Sequence, residues 1–225
     1  NNFLNTILFK FINYFFNFFS YLVFLNYQKK LYYKCEVVSG PFKGLKYSEP
    51  TSVCGPITPK LLGTYETELI PILNSLKGNK YNKIFNIGAA EGYYAIGLSM
   101  LFQNVKVKAY ETDLEGFEYL KKNIAINNKS QTVECINKQC NKDIDNIKYN
   151  ERMLIMCDCE GCEFEIFNKN NINNLKNSDL IIEMHVKSYD KTDLENHLSI
   201  NHDIQRIGYG TSKMIDISNL DNYIL

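Results

Sequence analysis

The chain has 225 residues, of which 45% are hydrophobic, and its 25 basic residues balance its 25 acidic residues. This length and hydrophobic content suffice for one well-buried α/β domain with an appendage. Zero net charge, with basic residues scattered singly or in pairs, argues against the broad positive surface of nucleic-acid-binding proteins, so we predict no nucleic-acid partner. The seven cysteines are an odd number in a chain too long for a disulfide mini-domain, and we predict reduced thiols in a cytoplasmic protein.

Residues 1–27 differ from the rest of the chain, because they hold eight of the 14 phenylalanines and a single charge, Lys10. Polar residues recur there every three or four positions, which predicts a helix with a narrow polar stripe and a wide aromatic face. Three placements fit: a membrane span, a helix in the membrane interface and a helix packed on protein. Polar residues at the centre make a span costly. The segment has no small-residue cleavage site, which argues against a signal peptide. We divide off residues 1–34 as a hydrophobic helix with a basic flank that contacts a membrane or protein.

Residues 35–80 form a lead-in rich in proline and glycine, since all five prolines lie between Pro41 and Pro71. This density predicts turns and short extended pieces. We predict a hairpin over residues 35–47 and, from the spacing of apolar residues, a helix over residues 61–76 that leans on the edge of a sheet.

Residues 81–225 alternate between strand and helix patterns. Strands are predicted at 84–87, 105–111, 132–137, 153–158 and 180–184, with helices at 93–102 and 114–127. Strands that are apolar on both faces are typical of a parallel sheet covered by helices. A further strand at 204–207 and a returning antiparallel tail would bring the total to about seven. The predicted fold class is α/β, a doubly wound, mostly parallel, Rossmann-like sheet.

Two glycines, Gly88 and Gly92, follow the first predicted strand, and Glu111 ends the second. A strand, a glycine turn and a helix favour a nucleotide-type ligand, and a carboxylate on the next strand can accept both ribose hydroxyls. The turn lacks a third dinucleotide glycine and a P-loop lysine, and Glu91 would repel a pyrophosphate. An acid-rich pocket suits a cationic ligand that carries a ribose, as S-adenosylmethionine does.

Three segments carry a family resemblance. They read NIGAAEGYYAIG at 86–97, CDCEGCE at 157–163 and IIEMH at 181–185, and PKLLGTYETEL precedes them at 59–69. With these motifs the chain resembles the FkbM family of class I S-adenosylmethionine-dependent methyltransferases. Asn86 departs from the family's usual acidic residue. The resemblance implies the class I methyltransferase fold and an acceptor hydroxyl on a sugar, glycolipid or other small molecule.

The resemblance also implies site residues. Those expected to bind the cofactor are Asn86, Gly88, Ala89, Glu91, Gly92, Glu111, Asn137 and Asp158. Those expected to orient and deprotonate the acceptor are Asp158, Glu160 and His185. No metal ligand is predicted, although a hard cation on Asp158, Glu160 or Glu183 stays open because magnesium prefers oxygen ligands.

Structural alternatives accompany these assignments. Asp158 could cap the helix that follows it, and His185 could be a packed or solvated side chain. The C-x-C-x-x-C run of Cys157, Cys159 and Cys162 has no partner pair at metal-binding spacing, so we predict that these cysteines fill the core.

Three other functions remain open. A nicotinamide-dependent oxidoreductase would use the same layered fold, although the glycine spacing disfavours it. A metal-dependent glycosyl transferase would use Asp158, Cys159 and Glu160 as an acid-x-acid triplet, which gives the glycine turn no role. A non-catalytic adaptor would retain the fold without the reaction, against which the intact Glu111 and Asp158 argue.

Overall fold

The computed structural model describes residues 2–169, 171–185 and 188–208, and its side chains are described for residues 14–169, 171–185 and 193–208. Helix α1, Asn2–Lys34, extends the predicted N-terminal helix by about two turns. Its aromatic side chains from Tyr14 to Phe24 are exposed, whereas Leu31 is buried. The helix is therefore anchored to the domain at its carboxyl end. Among the described residues, no helix has the length and hydropathy needed to cross a membrane.

The lead-in is less regular than predicted. In place of a full hairpin over residues 35–47, one antiparallel bridge joins Glu36 and Lys46. The predicted single helix over residues 61–76 is wrong, because three short helices occupy this region: α2 at Ile57–Leu62, a 3-10 turn at Thr67–Leu69 and α3 at Ile70–Leu76. Gly63 ends α2 with φ of 74°, and a Cβ there would lie 2.0 Å from the Ser39 carbonyl oxygen. The close approach of these two loops breaks the helix.

The central sheet confirms the predicted parallel core. Its strands are β1 Lys83–Ile87, β2 Lys106–Tyr110, β3 Val133–Ile136, β4 Met153–Cys157 and β5 Asp179–Ile182. All neighbours are parallel, in the order β3-β2-β1-β4-β5. The chain moves outward from β1 to β3 and then returns to β4 on the other side of β1. The strand order therefore reverses between β1 and β4.

Helices cover both faces of the sheet, because successive strand side chains point to opposite sides. Ile84 belongs to one apolar cluster, and its neighbour Phe85 belongs to the other. The first face is covered by the lead-in, α4 (Tyr93–Leu101) and α5 (Leu114–Ile126). The second is covered by α6 (Asn141–Asp145), α7 (Glu163–Ile166), a 3-10 turn (Ile172–Leu175) and α8 (Ser188–Leu198). The fold is a doubly wound, Rossmann-like α/β fold.

The strand count differs from the prediction of about seven. The described residues contain five strands in this sheet, and the predicted strand at 204–207 is wrong because residues 203–208 have no regular secondary structure. The predicted antiparallel tail lies outside the described residues.

Candidate functional site

The carboxyl ends of β1 to β4 surround a cavity of about 390 Å³. It lies where the strand order reverses, which is the place where open parallel sheets bind ligands. Its walls come from the loops that follow these strands and from Val53 and Cys54 of the lead-in. The lining includes five acidic residues and one lysine, which are Glu111, Asp113, Asp158, Glu160, Glu165 and Lys138. The cavity therefore favours a cationic ligand over a pyrophosphate.

The glycine turn is pressed against the end of β4. Gly88 has φ of 73°, and a Cβ there would lie 1.6 Å from the Asp158 carbonyl oxygen. Gly92 has φ of 99°, and a Cβ there would lie 2.7 Å from the Leu120 side chain. Between them Ala90 adopts a left-handed conformation with φ of 46°, which is costly for a residue with a Cβ. The two glycines are thus required by packing against the protein itself, a reason that differs from the ligand approach expected from sequence.

Glu111 follows β2, lines the cavity and is almost fully buried. Its Oε2 accepts a hydrogen bond from the Ala90 backbone nitrogen at 2.6 Å, and its Oε1 accepts one from the Asp113 backbone nitrogen at 2.7 Å. A carboxylate oxygen can accept two hydrogen bonds. Each oxygen therefore holds the loop and retains a lone pair for a ligand hydroxyl.

Two asparagines lie near the ligand edge of the sheet. Asn137 follows β3, and its Nδ2 donates to the Glu111 carbonyl oxygen at 2.8 Å, which ties the ends of β3 and β2 together. Asn86 is buried within β1, and its Oδ1 has no hydrogen-bond partner in the described residues. Because buried polar groups are nearly always paired, Asn86 offers an unused acceptor next to the glycine turn.

Glu91 does not line the cavity. It is buried, and its Oε1 lies 2.5 Å from the Lys60 Nζ of α2, which is also buried. Ser52 donates to the same carboxylate at 2.9 Å, and the Val53 nitrogen donates to its other oxygen at 3.2 Å. The predicted cofactor residue Glu91 therefore fastens the lead-in to the glycine turn.

The loops after β4 and β5 bring four carboxylates to one histidine. His185 Nδ1 lies 3.2 Å from Glu163 Oε1. On the other side of the ring, Nε2 lies 3.7 Å from Asp158 Oδ1, 3.7 Å from Glu160 Oε2 and 3.6 Å from Glu183 Oε1. We call these five residues the histidine–acid cluster. Asp158 and Glu160 extend from it into the cavity lining.

The pKa values of three residues in the histidine–acid cluster are raised. Burial, followed by the charge of Asp158, raises the pKa of Glu183 to about 7, and burial also raises the pKa of Asp158. Burial lowers the pKa of His185, but the hydrogen bond to Glu163 and the neighbouring acids outweigh it and raise that pKa. Carboxyl groups that hold a proton near neutral pH are typical of catalytic sites.

The alternative roles of the cluster residues find no support. Helix α7 begins after Cys162, without a side-chain cap, and Asp158 Oδ1 is buried without a hydrogen-bond partner in the described chain. Asp158 is therefore not the cap of α7. His185 is neither packed in apolar surroundings nor simply solvated, because acids surround it.

The cysteine prediction is correct for one of the three residues and partly wrong for the other two. Cys157 is buried in the core of the sheet as a free thiol. Cys159 and Cys162 pack against the second apolar cluster as partly buried residues, but they form a disulfide with each other, so the prediction of reduced thiols is wrong for them. Their sulfurs lie close together because the loop after β4 turns back through Glu160 and Gly161, which both have positive φ.

Four predicted residues line the cavity together: Gly88, Glu111, Asp158 and Glu160. Five others lie behind that lining or beside it, namely Asn86, Ala89, Glu91, Gly92 and Asn137, and His185 joins the site through the histidine–acid cluster. Sequence reasoning did not assign roles to Lys60 and Glu163. It left Glu183 only as an open cation ligand, although the position of Glu183 just after β5 is the same strand-end signal that identified Asp158.

No protein-family model and no curated protein matches the chain. Among solved structures, the human methyltransferase 10 domain containing protein is 18% identical, with a TM-score of 0.47, and the match covers 76% of this chain and 85% of that one. Precorrin-6y C5,15-methyltransferase from Geobacter metallireducens is 17% identical, with a TM-score of 0.45, over 58% of this chain and 68% of that one. M. jannaschii TYW2 in complex with AdoMet is 22% identical, with a TM-score of 0.30, and the match covers 40% of this chain and 41% of that one. Similarity at this level does not assign an activity to this chain.

Proposed function

We propose that the protein is an S-adenosylmethionine-dependent methyltransferase, related to the FkbM family, that methylates a hydroxyl of a sugar, glycolipid or other small molecule. The observation that carries the proposal is the acid-rich cavity at the reversal of the strand order, with Glu111 on one wall and Asp158 on the other. A sulfonium cation with a ribose matches this lining, whereas the pyrophosphate of a dinucleotide would meet five acids.

The cofactor would lie across the carboxyl ends of β1, β2 and β3. Gly88, Ala89 and Gly92 would shape the methionine end, with the unused Asn86 Oδ1 as an acceptor for the ligand amine. Glu111 would bind the ribose through its remaining lone pairs, and Asn137 would lie near the adenine. Glu91 supports this proposal only indirectly, because it is held by Lys60.

The methyl acceptor would enter beside Asp158. Methyl transfer is an in-line displacement, so much of the catalysis is the positioning of two reactants. The acceptor hydroxyl must also lose its proton, and Asp158, Glu160 and His185 are the proposed orienting and proton-accepting groups. Their convergence within 3.7 Å of one imidazole nitrogen supports a shared role.

Calorimetric titration separates this function from its main alternatives. S-adenosylhomocysteine should bind, whereas NAD and a nucleotide sugar should not. Glu111→Gln should weaken S-adenosylhomocysteine binding by about 1 to 3 kcal/mol, because it removes the charge from a hydrogen-bonded ribose contact. Glu115→Gln, an exposed acid in the same loop-to-helix region, is the matched control. Equal affinities in all three proteins, or binding of NAD alone, would contradict the proposal.

We also propose that the N-terminal helix places the enzyme at a membrane surface, where a glycolipid acceptor would be found. Its exposed aromatic side chains and the basic residues Lys29, Lys30 and Lys34 suit a helix that lies in the interface of an anionic bilayer. Deletion of residues 1–27 should abolish flotation with anionic vesicles and leave S-adenosylhomocysteine binding unchanged. A helix that belongs to the core would instead cause the truncated chain to unfold.

A further inference from the structure

The histidine–acid cluster has an arrangement that the proposed proton transfer alone does not require. His185 is held by acids on both sides of its ring, from the loops after β4 and β5 and from α7. Glu163 is fully buried, and its Oε1 faces Nδ1 at 3.2 Å. Because an ionised carboxylate can only accept hydrogen bonds, it places the ring hydrogen on Nδ1.

In the neutral form of the ring, which a metal ion requires, the lone pair of Nε2 then faces three carboxylate oxygens. These oxygens, from Asp158, Glu160 and Glu183, lie 3.6 to 3.7 Å from Nε2. The separations are too long for good hydrogen bonds, which span about 2.7 to 3.2 Å. They are close to the spacing of two atoms that bind one metal ion, since bonds of about 2.1 Å at ordinary coordination angles place neighbouring ligands about 3.0 to 3.5 Å apart.

Two buried oxygen atoms of this cluster have no hydrogen-bond partner in the described part of the chain. They are Oδ1 of Asp158 and Oε2 of Glu163, and the second belongs to a side chain with no exposed surface. Buried carboxylate oxygens without partners are unfavourable unless a positive charge compensates them. No lysine or arginine forms a described ion pair with these two residues. The site is therefore short of positive charge.

We propose that Asp158, Glu183 and His185 bind a divalent first-row transition metal ion such as Mn²⁺. One ligand atom from each lies within 4.8 Å of the others. One imidazole and two carboxylates form a set that suits manganese or iron better than magnesium or calcium, and three protein ligands leave coordination positions open. Glu163 is a positioning residue, because it fixes the imidazole through Nδ1 as the outer carboxylates of metal sites do.

The role of the ion rests on the proposed methyl transfer, whereas its binding does not. An acceptor hydroxyl bound at an open position would lose its proton more easily. Glu160, which is largely exposed and adjoins the ligands, would take that proton. The acceptor oxygen then forms the new bond to the methyl carbon as the carbon–sulfur bond breaks, and the bonding pair neutralises the sulfonium.

Mn²⁺ binding to the full chain tests this site directly. Calorimetry and electron paramagnetic resonance should detect one bound ion, and the pulsed spectrum should show coupling to an imidazole nitrogen. His185→Gln should remove that coupling and, like Glu183→Gln, lower the affinity at least tenfold. Glu163→Gln should lower it about 10- to 100-fold, as loss of an outer carboxylate does. Glu115→Gln, an exposed acid in the first turn of α5 that does not line the cavity, is the control and should bind Mn²⁺ as the wild type does.

S-adenosylhomocysteine binding in the same preparations shows that each variant is folded and separates the two proposals. Mn²⁺ binding without S-adenosylhomocysteine binding would support the metal site and contradict the methyltransferase. The reverse would contradict the metal site alone. Absence of the nitrogen coupling in the wild type, or equal Mn²⁺ affinity in wild type and His185→Gln, would overturn the proposed ligand set.

Discussion

The two sides of the cavity, each taken with the residues directly behind its lining, differ in how their buried charges are paired. On the glycine-turn side, Glu91 is matched by one buried lysine and two further donors, and both oxygens of Glu111 accept backbone hydrogen bonds. On the side of β4 and β5, four acids share one histidine, and two of their oxygens have no partner in the described residues. The charged groups of the first side are all paired within the protein, whereas the second side has more acids than its single histidine can neutralise.

This difference separates structural from functional charge. A buried ion pair whose hydrogen bonds are all made contributes to holding the fold, and removal of one partner is costly. A cluster with excess charge of one sign costs stability and is retained where a ligand or reaction uses it. Substitutions on the two walls should therefore change stability in opposite directions.

The largest effect is expected for Lys60→Met. It leaves the Glu91 carboxylate buried without a cation, which should lower the free energy of unfolding by about 3 to 5 kcal/mol. Urea unfolding measures this change. The double variant Lys60→Met, Glu91→Gln removes both charges and should recover a large part of the loss. A single variant that costs less than about 1 kcal/mol would mean that the pair is not a structural fastening.

The second largest effect is expected for Gly88→Ala, which should lower the free energy of unfolding by about 3 kcal/mol. The added Cβ would collide with the end of β4, and the backbone has a positive φ. Gly44→Ala is the control, because Gly44 also has positive φ, at 91°, but has no atom within 4 Å of the added Cβ. It should lose about 1 kcal/mol. Equal losses in the two variants by urea unfolding would show that strain, rather than close packing of the two walls, accounts for Gly88.

The smallest changes in the free energy of unfolding are expected for Asp143→Asn and Glu183→Gln, and they should have opposite signs. Asp143 accepts a hydrogen bond from the Tyr110 hydroxyl at 2.8 Å. Although burial raises the pKa of Asp143, this bond and the charges of Lys108 and Lys138 outweigh it and lower the pKa. Asp143→Asn should therefore cost about 1 kcal/mol. With EDTA present at pH 8, Glu183→Gln should instead raise the free energy of unfolding by about 1 kcal/mol, because it removes a charge that the folded protein disfavours.

The pH dependence of the free energy of unfolding tests whether these two changes have the expected signs. Glu183 has a pKa of about 7 in the folded protein and 4.5 as a reference, so its destabilisation is complete above pH 7 and disappears as the pH falls toward 4.5. The gain from Glu183→Gln should thus be several-fold smaller at pH 5 than at pH 8 and vanish below pH 4.5. Asp143 has a lowered pKa, so its contribution is present at both pH values and is lost only under stronger acid. A gain from Glu183→Gln that is as large at pH 5 as at pH 8 would contradict the assignment.

The sequence by itself determined the parallel core and the edge at which ligands bind. Runs such as residues 153–157 are apolar on both faces, which only a sheet covered on both sides can bury. The glycine turn after β1, Glu111 after β2 and Asp158 after β4 follow from this order, because the carboxyl ends of parallel strands meet at one edge. These are local patterns, because the residues of each segment alone indicate that the strand is buried and where it ends.

Tertiary structure decided which partners these residues have. Glu91 binds Lys60, 31 positions away in the chain, and not the ligand. The helix predicted from regular apolar spacing ends at Gly63, because the loop at Ser39 approaches the Gly63 backbone too closely for a side chain. His185 contacts Glu163, the first residue of α7, which lies 22 positions earlier in the chain. Such pairings depend on how separate loops pack at the end of the sheet, and the spacing of residues within one segment carries no information about the charge of a segment that folds against it.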